Sequence, residues 1–256
     1  MNAVGIILGL LSFGIIVWFH ELGHFLLAKR EGVGVKEFAV GMGPKVKGIK
    51  RGETEYTIRL LPLGGFVSFA DDEEYRKTSL GARARILIAG PLFNFILGYL
   101  FLVVAAILKG QSIVAAFEKS FFALYKASTL IFQGLIGLFT DKDALSQLSG
   151  PVGIIHQTSE IVPPMMHEPM QAVIQAIAVF FLWTALLSIN LGIMNLIPIP
   201  VLDGGRLLLL GLEKIKILKM TEKKETVIMA AGAVVILAVF LIGFWNDITA
   251  IITKVF

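Results

Sequence analysis

The sequence contains no cysteine. A disulfide-stapled secreted scaffold is thereby excluded, and any metal site must do without thiolate ligands. Charge is also scarce, at 16% of residues, against about 25% in an ordinary soluble domain. What fills the space is apolar: 56% of the 256 residues are hydrophobic, and the mean hydropathy is +0.80. A disordered chain cannot have this composition, and it points to an integral membrane protein. The formal charge of +4 does not indicate nucleic-acid binding, because no basic run is interleaved with aromatic residues.

A bilayer core needs roughly 20 apolar residues in a helix. Four runs meet that length: residues 2–28, interrupted only by Glu21, then 86–108, 173–202 and 226–246. The first run lacks a basic leader and is too long for a signal peptide, so it reads as a retained span. Lys and Arg are distributed unevenly. Residues 29–85 hold 12 and residues 206–225 hold six, while residues 109–172 hold four. The positive-inside rule then places 29–85 and 206–225 in the cytosol, with both termini and 109–172 outside. The chain is thus expected to cross a membrane several times.

Between these runs, Ile113–Phe139 has Phe117, Phe121, Leu124, Ile131, Leu135 and Leu138 at helical spacing, together with Glu118, Lys119 and Lys126. That pattern predicts an amphipathic helix in the outer interface. Thr54–Leu60 alternates, with Tyr56, Ile58 and Leu60 on one face and Glu55, Thr57 and Arg59 on the other. Phe66–Phe69 reads as a return strand, and Gly41–Pro44 as an earlier turn. The expected fold is an α-helical polytopic membrane protein. It has four transmembrane helices, a small membrane-associated β-hairpin or sheet on the cytosolic side, and the interfacial helix outside. Residues 1–256 form a single domain.

The first span contains His20-Glu21-Leu22-Gly23-His24. Residues i and i+4 share a helix face, so two imidazoles can converge on one cation. Glu21 lies beside them, free to serve as a base. Three ionisable groups inside a span are costly unless they have a function. A tetrahedral zinc site with one open position needs a third protein ligand. His156 and His167 fall outside the membrane on this topology, and Asp203 remains. His24 lies five residues before Lys29, roughly 7–8 Å along a helix. Asp203 lies three residues before Arg206. Both therefore sit near the cytosolic face. Pro198 and Pro200 cannot continue a regular helix, and unwound backbone at membrane depth lines a cavity or is buried in protein. Asn190 and Asn195, in the lower part of the third span, are candidates to hydrogen-bond substrate backbone or a developing oxyanion. Packing between helices is their plainer alternative.

His20–His24, taken with Asn195-Leu196-Ile197-Pro198-Ile199-Pro200-Val201-Leu202-Asp203-Gly204-Gly205, resembles the site-2 protease family of intramembrane zinc metalloproteases. The bacterial regulator-of-sigma-E protease branch is the closer match. Leu60–Phe66, Gly90-Pro91-Leu92-Phe93-Asn94, Ser149–Gly153 and Ser188–Asn195 match it as well. The resemblance implies that His20, His24 and Asp203 hold Zn2+ and that Glu21 is the catalytic base. It also implies that Asn190, Asn195, Gly64 and Gly65 handle a transmembrane peptide substrate, such as an anti-sigma factor or a signal-peptide remnant. Members of the branch usually carry PDZ modules after the second span. The 64 residues of 109–172 leave no room for one. A metal-ion transporter and a catalytically silent membrane scaffold are the alternatives. The first is disfavoured by the lack of a repeated broken span, the second by the presence of Glu21 beside both histidines.

Overall fold

The computed structural model describes residues 3–140, 169–217 and 221–255. In chain order the elements are α1 (Ala3–Arg30), β1 (Val35–Arg51), β2 (Thr54–Phe69), α2 (Asp72–Lys77), α3 (Leu80–Leu108), α4 (Ile113–Thr140), α5 (Pro169–Asn195), α6 (Asp203–Lys214) and α7 (Glu222–Val255). Among the described residues, four stretches are long and apolar enough to cross a bilayer: Ile7–Arg30, Leu80–Leu108, Met170–Asn195 and Lys223–Thr249. They coincide with the four runs in the sequence. The third helix stops at Asn195 rather than continuing to residue 202, because Pro198 and Pro200 break the hydrogen-bond ladder. The second starts earlier than the apolar run, where Ser79 caps the first turn by accepting from the Ala82 amide at 3.2 Å.

Helix α3 is the hub, packed between α1 and α5 and touching α4 and α6. In lipid, helices gain little from hiding apolar surface from one another. Close approach depends instead on small residues and polar bonds. At Gly98 of α3 an added Cβ would come within 2.7 Å of the Ile189 side chain on α5. Ser12 on α1 and Thr184 on α5 share a hydroxyl hydrogen bond of 2.8 Å, both fully buried. Ser188 on α5 donates to the Asn94 carbonyl on α3 at 2.8 Å.

The expected amphipathic helix forms as α4, and the structure adds the direction in which it runs. After Gly110 the chain turns back, and the Tyr99 hydroxyl of α3 donates to the Phe117 carbonyl at 3.2 Å. Leu124, Ala127, Ile131 and Leu135 then pack along Leu102 of α3 and Ala185, Ile189 and Ile193 of α5.

The two strands pair antiparallel over most of their length, and both are bent. Residues 35–40 lie beside 65–69 and also beside 55–58, while 45–51 fold back on 54–59. Gly41–Pro44 does not end the strand as expected. It is a kink within β1, where Gly41 and Gly43 take φ of +89° and +81° and the register slips. Pro62–Gly65 likewise bends β2 without ending it. The sheet is anchored on the C-terminal half of α1 by Phe25, Ala28, Val33, Val35 and Phe38, with Ile86 of α3. Its far half is unusual. Thr54 and Thr57 are buried, whereas Met42, Ile58, Leu60 and Leu61 are exposed. An apolar outer surface of this kind suits contact with lipid rather than water.

Candidate active site and metal centre

The helical repeat of α1 stacks His20 above His24, with ring centroids 4.8 Å apart and planes at 84°. His24 Nδ1 lies 2.8 Å from the Ile86 carbonyl of α3. A carbonyl can only accept, so the proton is on Nδ1 and the Nε2 lone pair faces inward. His20 turns its Nδ1 toward the Asn94 side-chain amide of α3, at 3.1 Å. Ile86, Gly90 and Asn94 recur every fourth residue along α3, so all three present themselves to the histidine pair. Gly90 is the member that leaves space. A Cβ there would lie 2.3 Å from His24 Nε2 and 2.8 Å from His20 Cε1.

Asp203 arrives from a distant part of the chain. The loop after Asn195 folds tightly onto the first turn of α6: a Cβ on Gly204 would overlap the Leu196 carbonyl, and one on Gly205 the Ile199 carbonyl. This close approach sets Asp203 as the first residue of α6. Its Oδ2 lies 3.2 Å from His20 Nε2 and 3.3 Å from His24 Nε2, and the two Nε2 atoms are 3.2 Å apart. The three ligand atoms thus form a nearly equilateral triangle. A tetrahedral zinc with bonds of about 2.0–2.1 Å requires ligand–ligand edges of about 3.3–3.4 Å. Asp203 Oδ2 is buried, yet neither imidazole contact gives it hydrogen-bond geometry. An oxygen so placed suits a cation at the centre of the triangle. Among the described residues this is the one group of three that could hold a metal.

The other expected site residues divide into two sets. Gly65 belongs with the centre, since a Cβ on it would lie 3.1 Å from Glu21 Cγ and 3.3 Å from Val17 Cγ1. Gly64, at φ +91°, turns the strand beside Met42. The surroundings seen at Asn190 and Asn195 are different. Asn190 is exposed in a groove between α4 and α5, near Lys126 and Trp183. The Asn195 amide donates to its own helix at the Leu191 carbonyl, 3.0 Å. His156 and His167 lie outside the described residues. The roles of Gly90 and Ile86 were not legible in advance. The spacing of four along α3 is the signal, but nothing in the sequence says which face of α3 meets α1.

Comparison with known proteins agrees with this geometry. The pattern of peptidase family M50 matches residues 8–239. The chain is similar to the zinc metalloprotease RasP of Oceanobacillus iheyensis, at 24% identity covering 93% of this chain and 97% of that protein. A putative zinc metalloprotease of Staphylococcus aureus is 26% identical, covering 96% and 98%. Another, of Clostridium acetobutylicum, is 47% identical over 104 residues, which are 38% of this chain and 31% of that protein. The first two alignments run over 423 and 430 positions, so those relatives hold internal sequence with no counterpart in these 256 residues. The chain belongs to peptidase family M50, as a multi-pass membrane zinc metalloprotease of the site-2 type.

Proposed function

We propose that this protein cleaves single-span membrane proteins within the bilayer, with His20, His24 and Asp203 as zinc ligands and Glu21 as general base. The ligand triangle is the observation that carries the reading. Zinc bound there supplies a Lewis acid that makes water acidic enough to attack at neutral pH. The chain's own residues do the rest. The Ile86 carbonyl fixes His24 with its Nε2 directed inward. Glu21 accepts the proton of the attacking water on a carboxylate oxygen and returns it to the leaving amide nitrogen.

A transmembrane helix conceals its peptide bonds in hydrogen bonds to residues four apart, so the substrate must be extended before it is cut. Residues 65–69 offer a means. They pair with 35–40 on one edge, and their other edge has no ladder partner among the described residues. The end of that edge, at Gly65, abuts Glu21. An unwound substrate adding a strand here would be held by main-chain hydrogen bonds beside the base. Anti-sigma factors and signal-peptide remnants are the substrate types proposed. The orientation proposed has both termini outside the cytosol and the metal centre toward the cytosolic face of a bacterial inner membrane. It rests on the lysine and arginine distribution.

The test is Glu21→Gln, assayed by co-expression with single-span reporter substrates. Zinc content should equal that of the wild type, and cleavage should fall to background. Full cleavage by the variant defeats the reading.

A further inference from the structure

Asn94 is fully buried in the middle of a membrane-crossing helix. A polar side chain in that position is expensive unless its bonds are satisfied. Its carboxamide faces His20 Nδ1 at 3.1 Å, and the oxygen on the other limb has no partner. The amide orientation therefore answers to His20 alone. Oxygen and nitrogen of an amide differ little in outline, so which one faces the ring follows from the hydrogen-bond network. If Nε2 of His20 binds a cation, the ring proton sits on Nδ1, and the facing atom must accept it.

We propose that Asn94 is a positioning residue for the metal centre: its side-chain oxygen accepts from His20 Nδ1–H and keeps the Nε2 lone pair aimed at the metal. It does for His20 what the Ile86 carbonyl does for His24. The two acceptors lie eight residues apart on α3 and flank Gly90, the position that leaves room for the rings. The backbone of Asn94 is fixed in turn from α5. Ser188 donates to its carbonyl, and Gly192 approaches so closely that a Cβ there would lie 3.3 Å from Asn94 Cβ. One face of α3 thus orients both imidazoles, and α5 holds that face in register. A buried partner of this kind typically changes metal affinity by about 10–100-fold.

The inference rests on His20 being a ligand, and the test separates the two claims. Zinc affinity is measured by chelator competition for wild type, His20→Ala, Asn94→Leu, Asn94→Ala and Asn94→Asp, with thermal melting in excess chelator as the control for folding. A carboxylate accepts from Nδ1–H as an amide oxygen does. Asn94→Asp should therefore hold zinc within a few-fold of wild type, while Asn94→Leu and Asn94→Ala lose about 10–100-fold. Cobalt substituted for zinc should give a wild-type visible spectrum in Asn94→Asp and an altered one in Asn94→Ala. Wild-type zinc affinity in the apolar variants overturns the proposal. So does an equal loss in Asn94→Asp, which would make the residue a matter of packing. Retained affinity in His20→Ala overturns the ligand assignment itself.

Discussion

Helices α1 and α7 are both long enough to cross a bilayer, yet they are built on different terms. In α1, 39% of the apolar window is buried within the protein, and in α7 only 11%. Helix α1 carries Ser12, His20 and Gly23 on faces pressed against α3 and α5. Helix α7 turns Val234, Val235, Leu237, Phe240 and Leu241 outward. Near its N-terminal end, Glu225 pairs with Arg76 at 2.7 Å and Gly232 meets Pro200 and Val201. Lipid serves as solvent for an apolar helix, so burial is not needed to keep one in place. Tight packing is found where small and polar residues bring backbones together, and those helices carry the chemistry.

The sharpest way to break this comparison is to fill the space on which the packed region depends. Gly90→Val should reduce zinc content to background, because the new side chain must occupy the volume of His24 Nε2. Metal analysis of the purified protein checks it, and a zinc-replete variant would show that the helices can part without cost. Gly98→Leu, at the contact with Ile189, should cost about 1–3 kcal/mol of stability through overpacking. Val235→Ala, on the exposed face of α7, should stay within about 0.5 kcal/mol. Unfolding in micelles would measure both, and equal losses would erase the distinction drawn here.

A smaller effect belongs to the sheet, outside the spans. Burial pushes the Glu37 carboxyl up, but the Thr57 hydroxyl and the Arg59 guanidinium outweigh it and hold the group below its ordinary value of 4.5. A carboxyl depressed on folding adds stability that is complete above the unfolded value and is lost as pH falls below it. Glu37→Gln should therefore lower stability by about 1 kcal/mol at pH 7. It should also flatten the decline below pH 4.5. An unchanged acid limb in melting experiments would remove Glu37 as its cause.

Much of the centre was legible because its parts are local. His20, Glu21 and His24 share one helix face by spacing alone. Asp203 could be placed at their depth by counting residues to the flanking cations Lys29 and Arg206. The small sheet was legible, and so were two parts of β2, Thr54–Leu60 and Phe66–Phe69, but β1 over Val35–Arg51 was not read as a strand. Glycines that normally end a strand here only bend it, because the chain pairs again beyond each kink, at 45–51 after Gly41–Pro44 and at 65–69 after Pro62–Gly64. Asn190 and Asn195 were singled out as polar residues in an apolar run. The structure shows Asn190 in the groove beside α4 and Asn195 bonded to the Leu191 carbonyl, surroundings that their polarity alone did not specify.

The sequence by itself determined the four apolar stretches, the histidine pair with its glutamate, and the break at Pro198 and Pro200, since each follows from hydrophobicity, helical period or ring chemistry within a few residues. Only the tertiary structure decided that α3 presents Ile86, Gly90 and Asn94 to the imidazoles, that α4 turns back along α5, and that Gly65 touches Glu21. Those contacts join residues tens of positions apart. Which face of a nearly uniform apolar helix meets its neighbour is set by side-chain shape and by the few polar bonds available, and hydrophobic periodicity carries no record of either.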